Sequence, residues 1–241
     1  MYGNEGNALN KATIKFSFLR SLPVMAGYLV LGSGFGILMA DKGYSFWWPA
    51  LMSFVVYAGS LQFVAVNLLA SMASPVSTAL MSIMVNARHL FYGISMLDKY
   101  KAMEKGRIYS IFALTDETYS LVCSVQIPEG VNEHGYYFLI SLMNQCYWVA
   151  GSLIGGLLGN LMSFNTDGID FAMTALFVVM FVEQWENGKN HLPAISGVVI
   201  TVCCLLVFGT DYFLIPSMIL IATALLALRN KIETKEENAN D

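Results

Sequence analysis

Three charged residues lie well inside apolar stretches of this 241-residue chain: Arg88, Asp116 and Glu117. A central arginine or aspartate costs about 2.5–3.5 kcal/mol on membrane-insertion scales, so such residues normally face a cavity, a partner or a transport pathway. A guanidinium binds a carboxylate with two hydrogen bonds, and a carboxylate balances an ammonium group. Together they suit a small zwitterion, or an ion pair with each other.

The arginine belongs to a polar cluster within residues 86–93. On a helix Asn86 and His89 share one face, while Arg88 and Tyr92 share the adjoining one. The cluster therefore predicts a cavity in which Arg88 holds a substrate carboxylate, with Asn86 and His89 beside it. The alternative is that Arg88 extends its side chain toward the membrane interface.

The two carboxylates are adjacent, and both cannot ionise cheaply in an apolar segment. The pair therefore predicts a group that carries a proton or balances a substrate ammonium. Asp116 shares its face of an ideal helix with Phe112, Tyr119 and Ser120. Glu117 points about 100° away, so Asp116 is expected to be the more important proton carrier. The alternative is a structural ion pair between Asp116 and Arg88.

A third polar cluster lies in the middle of the apolar segment 46–72 and contains Tyr57, Gly59, Ser60 and Gln62. Gly59 and Ser60 permit local unwinding of a helix, and unwound amides can hold a carboxylate. These residues are predicted to contact substrate. The alternative is a packing face of small residues in which Gln62 is hydrogen-bonded.

Signatures of metal, cofactor or catalytic sites are absent from the sequence. The four cysteines show no Cys-x2-Cys spacing: Cys123, Cys146, Cys203 and Cys204. No Walker loop, dinucleotide fingerprint, HExxH or GxSxG motif occurs. The sequence predicts no metal, no cofactor and no enzyme. An intramembrane enzyme and a membrane scaffold or sensor are the weaker alternatives.

The composition determines the class of fold. Hydrophobic residues make up 56% of the chain and charged ones 12%, and the mean hydropathy is +0.57. Residues 46–97 contain one charge, and residues 134–166 and 190–210 contain none. Runs of this kind predict an all-α polytopic membrane protein in a lipid bilayer. The composition also excludes a basic nucleic-acid binder, whereas the net charge of −4 says little about a membrane protein.

The apolar runs form a single membrane domain over residues 1–241, with about six full spans and one or two half-spanning or broken helices. Residues 1–15 are predicted to be a cytoplasmic flank, 16–125 and 136–228 the two halves, and 229–241 a polar tail. Eight apolar segments are recognised: 16–40, 46–72, 75–97, 108–125, 136–161, 171–185, 192–208 and 212–228. Short or interrupted segments often mark discontinuous helices in transporters.

Basic residues concentrate in the N-terminal flank and in the loop 98–107, which places both in the cytoplasm. That orientation requires an even number of crossings between them, although three apolar segments intervene. One segment must enter and leave on the same side, and the polar residues of 75–97 make it the candidate.

A short stretch also recurs, since residues 28–36 resemble residues 147–155. Two inverted repeats are one interpretation. Recurrent glycine-rich helix faces are the other.

Five stretches in this order resemble the AzlC/YgaZ-type branched-chain amino acid permeases of bacteria. They are Ser33–Gly36, Tyr57–Phe63, Asn86–Gly93, Thr115–Tyr119 and the helix with Trp148, Gly151 and Gly155. The resemblance covers about residues 20–160. The family usually has a serine where Leu61 stands here.

The resemblance implies an exporter of valine, leucine and isoleucine in the bacterial cytoplasmic membrane. It also implies a small membrane partner of the AzlD/YgaH type. The polar clusters independently favour a secondary transporter of zwitterions, with proton coupling through the two carboxylates.

Overall fold

A computed structural model describes residues 10–123, 125–161, 170–187, 191–213, 216–217, 219–221 and 223–227. These residues form helices, turns and short irregular segments, with no strand, which confirms the all-α prediction. Three of their helices are long and apolar enough to span a membrane: Lys11–Asp41, Glu133–Leu161 and Leu192–Gly209. The predicted polar tail 229–241 and most of the N-terminal flank lie outside the described residues. The chain divides into two compact units, Met1–Met173 and Thr174–Asp241.

Helices α1 (Lys11–Asp41) and α8 (Glu133–Leu161) pack against each other and form what we call the frame of the first unit. Near the start of both helices, Asn10 Nδ2 donates to the Gly130 carbonyl at 2.8 Å. Near the middle, the rings of Tyr28 and Trp148 lie 5.2 Å apart, edge to face. Because contacts advance along both helices in the same order, α1 and α8 run parallel.

Glycines let the two frame helices touch through their backbones. A Cβ atom on Gly151 would lie 2.8 Å from the Tyr28 carbonyl oxygen, and one on Gly36 would overlap backbone atoms of Ser152 and Gly155. Close backbone approach at small residues is a common way to join helices in membranes.

This packing bears on the repeated stretch, because residues 28–36 and 147–155 lie against each other. Equivalent helices of inverted repeats run antiparallel, whereas these two run parallel. The similarity therefore reflects a shared packing face and gives no support to inverted repeats related through these two helices.

The frame gives a direct prediction for Gly36→Ala. The added methyl group must push two backbones apart, and overpacking of this kind costs about 1–3 kcal/mol. Gly27→Ala is the matched control on the same helix, because nothing lies within 4 Å of a Cβ atom there. We expect Gly36→Ala to lower the thermal unfolding midpoint in detergent and Gly27→Ala to leave it unchanged or raise it. Equal midpoints for both variants would contradict this packing.

The segment 46–72 forms a hairpin of two half-helices, α2 (Trp47–Val55) and α3 (Gly59–Ala70), which we call the first hairpin. Residues 56–58 form its tip, where Tyr57 has a left-handed φ of 44°. Its entry lies near the C-terminal part of α8, since a Cβ on Gly156 would be 3.1 Å from Phe46 Cα. By the end of α2, Gln145 donates to the Phe54 carbonyl at 3.0 Å, near the middle of α8.

Helix α3 returns toward the end at which the first hairpin began. Its first residue, Gly59, faces the Trp148 ring, which a Cβ atom would approach to 3.1 Å. One turn later the rings of Phe63 and Phe35 lie 5.8 Å apart. The apolar segment 46–72 is therefore a broken element of the kind that the sequence predicts, because the chain reverses at Tyr57.

The segment 108–125 is also divided, into α6 (Arg107–Phe112) and α7 (Asp116–Cys123), which we call the second hairpin. Both of its ends lie near the start of α8. The Tyr109 ring is 5.6 Å from that of Phe138, and Tyr136 Oη donates to the Leu121 carbonyl at 2.9 Å. The second hairpin therefore enters from the end of the frame opposite to the first.

The tip of the second hairpin, residues 113–115, reaches the middle of the frame. Ala113 is fully buried in a cluster that includes Tyr28, Tyr57 and Trp148. Thr115 Oγ1 accepts from the Thr118 amide at 3.3 Å, so a threonine cap starts α7 here. The two tips thus meet beside the Tyr28–Trp148 pair.

Helix α4 (Pro75–Ser95) is continuous and runs along both hairpins. Arg88, in its second half, donates to Ser60 Oγ in the first turn of α3, and Ser95, at its end, bonds Tyr119 Oη of α7 at 3.0 Å. The prediction that 75–97 enters and leaves at one end is wrong. Its polar residues face the hairpins, so they do not interrupt the helix, and 46–72 is the segment that turns back.

Helix α5 (Leu97–Lys101) and the loop 98–107 lie at the same end of the frame as the start of α1. The Tyr100 ring is 6.1 Å from that of Tyr137, and Phe16 is 5.3 Å from Tyr136. Lys99 Nζ donates to the last carbonyls of α7, at 2.6 Å for Cys123. The even number of crossings expected between the two basic regions stays a prediction.

Helix α9 (Asp170–Asn187) begins just before the boundary between the units and continues into the second unit. It is followed by α10 (Leu192–Tyr212). Trp185 stacks on His191 with ring centroids 4.1 Å apart. Gly209, with φ 71°, kinks α10 near its end. The total number of spans stays a prediction.

Candidate functional site

Arg88 joins the tips of the two hairpins. One of its terminal nitrogens lies 2.7 Å from Ser60 Oγ of the first hairpin and 2.8 Å from Asp116 Oδ2 of the second. The Arg88 and Asp116 side chains keep 28% and 19% of their surface exposed. The guanidinium points into the middle of the frame, so extension toward the interface does not describe it. The alternative ion pair of Arg88 and Asp116 is present.

The first turn of α3 has donors available for an anion. Its N-cap residue Ala58 makes no side-chain capping bond, and no acidic residue lies in the first turn. The N-terminus of a helix attracts negative charge through its free amides and its dipole. Gly59, which has no side chain, lets the Trp148 ring pack closely against this turn.

The first turn of α7 has the opposite electrostatic character, since it contains Asp116 and Glu117. Glu117 accepts a 2.6 Å hydrogen bond from Tyr28 Oη, which also bonds Thr115 Oγ1 at 2.8 Å. Among the described residues Glu117 takes part in no salt bridge within 4.0 Å. The two carboxylates therefore have different partners, a guanidinium for Asp116 and a phenol for Glu117.

Buried polar atoms near the tips that have no hydrogen-bond partner among the described residues include Tyr57 Oη, Asn86 Oδ1 and Asp116 Oδ1. Buried polar atoms are normally paired, so unpaired ones call for a specific explanation. A ligand with an ammonium group and a carboxylate is one such explanation.

Aromatic rings form one wall beside the ion pair. His89 lies edge-on to Tyr92 at 5.8 Å, and Tyr92 stacks on Tyr119 at 4.6 Å and 16°. Arg88 and Tyr92 both face the second hairpin, in agreement with their spacing on α4. His89 contacts this aromatic wall.

Gln62 has a different environment from the other predicted contacts. It is fully buried, donates to Ser53 Oγ at 2.9 Å and accepts from Trp148 Nε1 at 2.9 Å. Ser53 in turn bonds Ser152 Oγ at 2.7 Å. This network joins α2, α3 and α8, which matches the packing alternative.

The helix break also changes the surroundings that the sequence predicts for Asp116. Phe112 ends α6, before the break, so it does not share a helix with Asp116; its ring lies 6.5 Å from that of Tyr57. Tyr28 and Thr115 were not identified as site residues, because their bond joins distant parts of the chain. The described residues bring together no group of three or more His, Cys, Asp or Glu that could hold a metal ion.

Comparison with known proteins identifies the chain's relatives. The family model described as AzlC protein matches residues 23–162. A Bacillus subtilis (strain 168) protein named "Branched-chain amino acid transport protein AzlC" is 44% identical over 225 residues, covering 93% of this chain and 89% of the relative.

Two further relatives carry less specific names. A Haemophilus influenzae protein named "Uncharacterized membrane protein" is 43% identical over 225 residues, covering 93% of this chain and 92% of the relative. "Inner membrane protein YgaZ" of Escherichia coli (strain K12) is 25% identical over 207 residues, covering 83% and 82%. No solved structure matches the chain. With its two hairpins and its apolar helices, this membrane protein belongs to the AzlC family.

Proposed function

We propose that this chain exports branched-chain amino acids across the bacterial cytoplasmic membrane, coupled to protons and together with a small AzlD/YgaH-type membrane subunit. The observation that carries the proposal is the position of Arg88 between the uncapped start of α3 and the acidic first turn of α7. Opposite charges at two half-helix ends, near mid-membrane, suit a zwitterion.

The substrate carboxylate binds Arg88 and the first amides of α3, and it displaces Asp116 from the guanidinium. The substrate ammonium then binds the released Asp116 carboxylate, with Asn86 Oδ1 as a further acceptor. Substrate and ion pair compete for the same groups, so binding leaves neither charge unpaired.

The substrate class comes from the family, whose Bacillus subtilis relative is named a branched-chain amino acid transport protein. The same relationship supports transport rather than catalysis. The charged pair explains recognition of the amino acid's backbone, which all amino acids share.

The orientation rests on basic residues at one end of the frame. Lys11, Lys15 and Arg20 lie in the first turns of α1, and the loop 98–107 lies at the same end. Short cytoplasmic loops are rich in lysine and arginine. We therefore place this end, and the N-terminus, in the cytoplasm.

Labelled leucine efflux from proteoliposomes tests the function. The chain is reconstituted with and without the small subunit, and efflux is measured with and without an imposed pH gradient. We expect efflux that requires the chain and is competed by valine and isoleucine but not by glutamate. Efflux equal to that of empty liposomes, with the subunit present, would contradict the function. A failure of the pH gradient to change the rate would contradict proton coupling alone.

A further inference from the structure

A cavity of about 510 Å³ lies between α3 and the first half of α4. Its walls are mainly aliphatic and aromatic, with two hydroxyl side chains on α4. They include Tyr44, Leu61, Ala65, Leu69, Thr78 and Ser82. All of them belong to the first unit of the chain.

One end of this cavity borders the first turn of α3, to which Ser60 of the charged site also belongs. Leu61 lines it and directly follows Ser60, whose hydroxyl bonds Arg88 at 2.7 Å. Val56, at the tip of the first hairpin, lines the same end. A ligand with its carboxylate on Arg88 can therefore place a side chain here.

The two hydroxyl groups that α4 contributes to the cavity wall are already hydrogen-bonded to their own helix. Ser82 Oγ donates to the Thr78 carbonyl at 2.7 Å, and Thr78 Oγ1 donates to the Ser74 carbonyl at 3.1 Å. The wall therefore offers its carbon atoms and favours an apolar group.

We propose that this cavity binds the branched aliphatic side chain of the substrate, and that Leu61 and Ser82 determine how large a side chain it accepts. The proposal rests on the proposed function and adds to it the origin of selectivity. The charged tips recognise the backbone of an amino acid, and the cavity distinguishes leucine from alanine. Removing one methylene group from such a contact typically changes selectivity by about 10-fold or more.

A pair of adjacent phenylalanine substitutions tests the cavity. Ser82→Phe fills it, whereas Ile83→Phe lies on a side chain that is 66% exposed and serves as the matched control. Efflux of leucine and alanine is measured for each variant. We expect Ser82→Phe to lower the leucine-to-alanine ratio by about 10-fold and Ile83→Phe to leave it at the wild-type value.

Thiol labelling provides a second measurement that does not depend on transport by a bulky variant. Ser82→Cys and Ile83→Cys are made in a background without the four native cysteines. We expect leucine to slow labelling at position 82 and not at position 83. The cavity proposal alone would be overturned if wild type transports leucine, Ser82→Phe keeps the wild-type leucine-to-alanine ratio, and leucine does not slow labelling at position 82. Protection by a short alkyl phosphate but not by leucine would assign the cavity to a lipid chain and overturn it as well. Wild type that transports no branched-chain amino acid would instead contradict the proposed function.

Discussion

Arg88→Lys is expected to reduce leucine efflux by about 100-fold while the protein remains folded in the membrane. The guanidinium reaches Ser60 Oγ and Asp116 Oδ2 on two different hairpins. Lysine keeps the positive charge, but its ammonium is a point charge that lacks the planar fork needed for bidentate binding. Loss of one charge-assisted hydrogen bond to the substrate carboxylate, at about 1.5–3 kcal/mol, corresponds to an effect of about 10- to 100-fold.

The matched control for this variant is Arg107→Lys. Arg107 begins α6 and is exposed at the end of the frame. Its replacement by lysine makes the same chemical change as Arg88→Lys, but away from the hairpin tips. Efflux rates are compared at equal amounts of protein in the membrane. Wild-type efflux by Arg88→Lys would show that charge alone is needed and that the bridge between the tips is dispensable.

Glu117→Gln is expected to uncouple transport from the pH gradient. Its carboxylate accepts from Tyr28 at 2.6 Å and makes no salt bridge among the described residues. Glu117 can therefore gain or lose a proton without breaking the Arg88–Asp116 pair. Glutamine keeps the acceptor oxygen but cannot exchange a proton. We expect leucine exchange to persist in this variant and the response to an imposed pH gradient to disappear.

Asp116→Asn is expected to have a different effect, because it removes the carboxylate that is proposed to bind the substrate ammonium. We expect weaker leucine binding, with the residual transport still responsive to the pH gradient. Glu104→Gln, at an exposed position of the loop 98–107, is the matched control for loss of a carboxylate. The opposite assignment holds if Asp116→Asn abolishes the pH response and Glu117→Gln preserves it.

The sequence identified Arg88 and Asp116, which the structure brings together, whereas their roles stay predictions. Arg88 and Asp116 stood out because charge is expensive in apolar segments, and the same argument allowed their pairing. The sequence analysis preferred Asp116 to Glu117 as the proton carrier because it assumed one ideal helix. The structure divides that helix at residues 113–115. The hydrogen bond between Glu117 and Tyr28 joins segments that are distant in the sequence, so no local sequence pattern predicts it.

The hairpins were harder to predict than the helices. Hydropathy is the same for an apolar segment that crosses a membrane and for one that turns back in its middle. The reversal in 46–72 depends on Tyr57, whose φ of 44° is a backbone conformation that tyrosine residues rarely adopt. The parity argument led us to expect that one segment turns back, and the polar residues of 75–97 made that segment the candidate, whereas the structure has the reversal in 46–72. Those residues are polar because they face the hairpin tips.

The meeting of the two hairpin tips near the middle of the frame has an electrical consequence. A bound ion there has crossed about half of the transmembrane voltage from either side, or about 1.2 kcal/mol per charge at 100 mV. A zwitterionic amino acid carries no net charge, so the voltage does almost no work on it in either half of its path. A proton that moves through Glu117 carries a full charge. Its path from one side to Glu117 and its path from Glu117 to the other side each cross about half of the voltage. Under the proposed coupling, the membrane potential therefore does work on the proton and almost none on the amino acid.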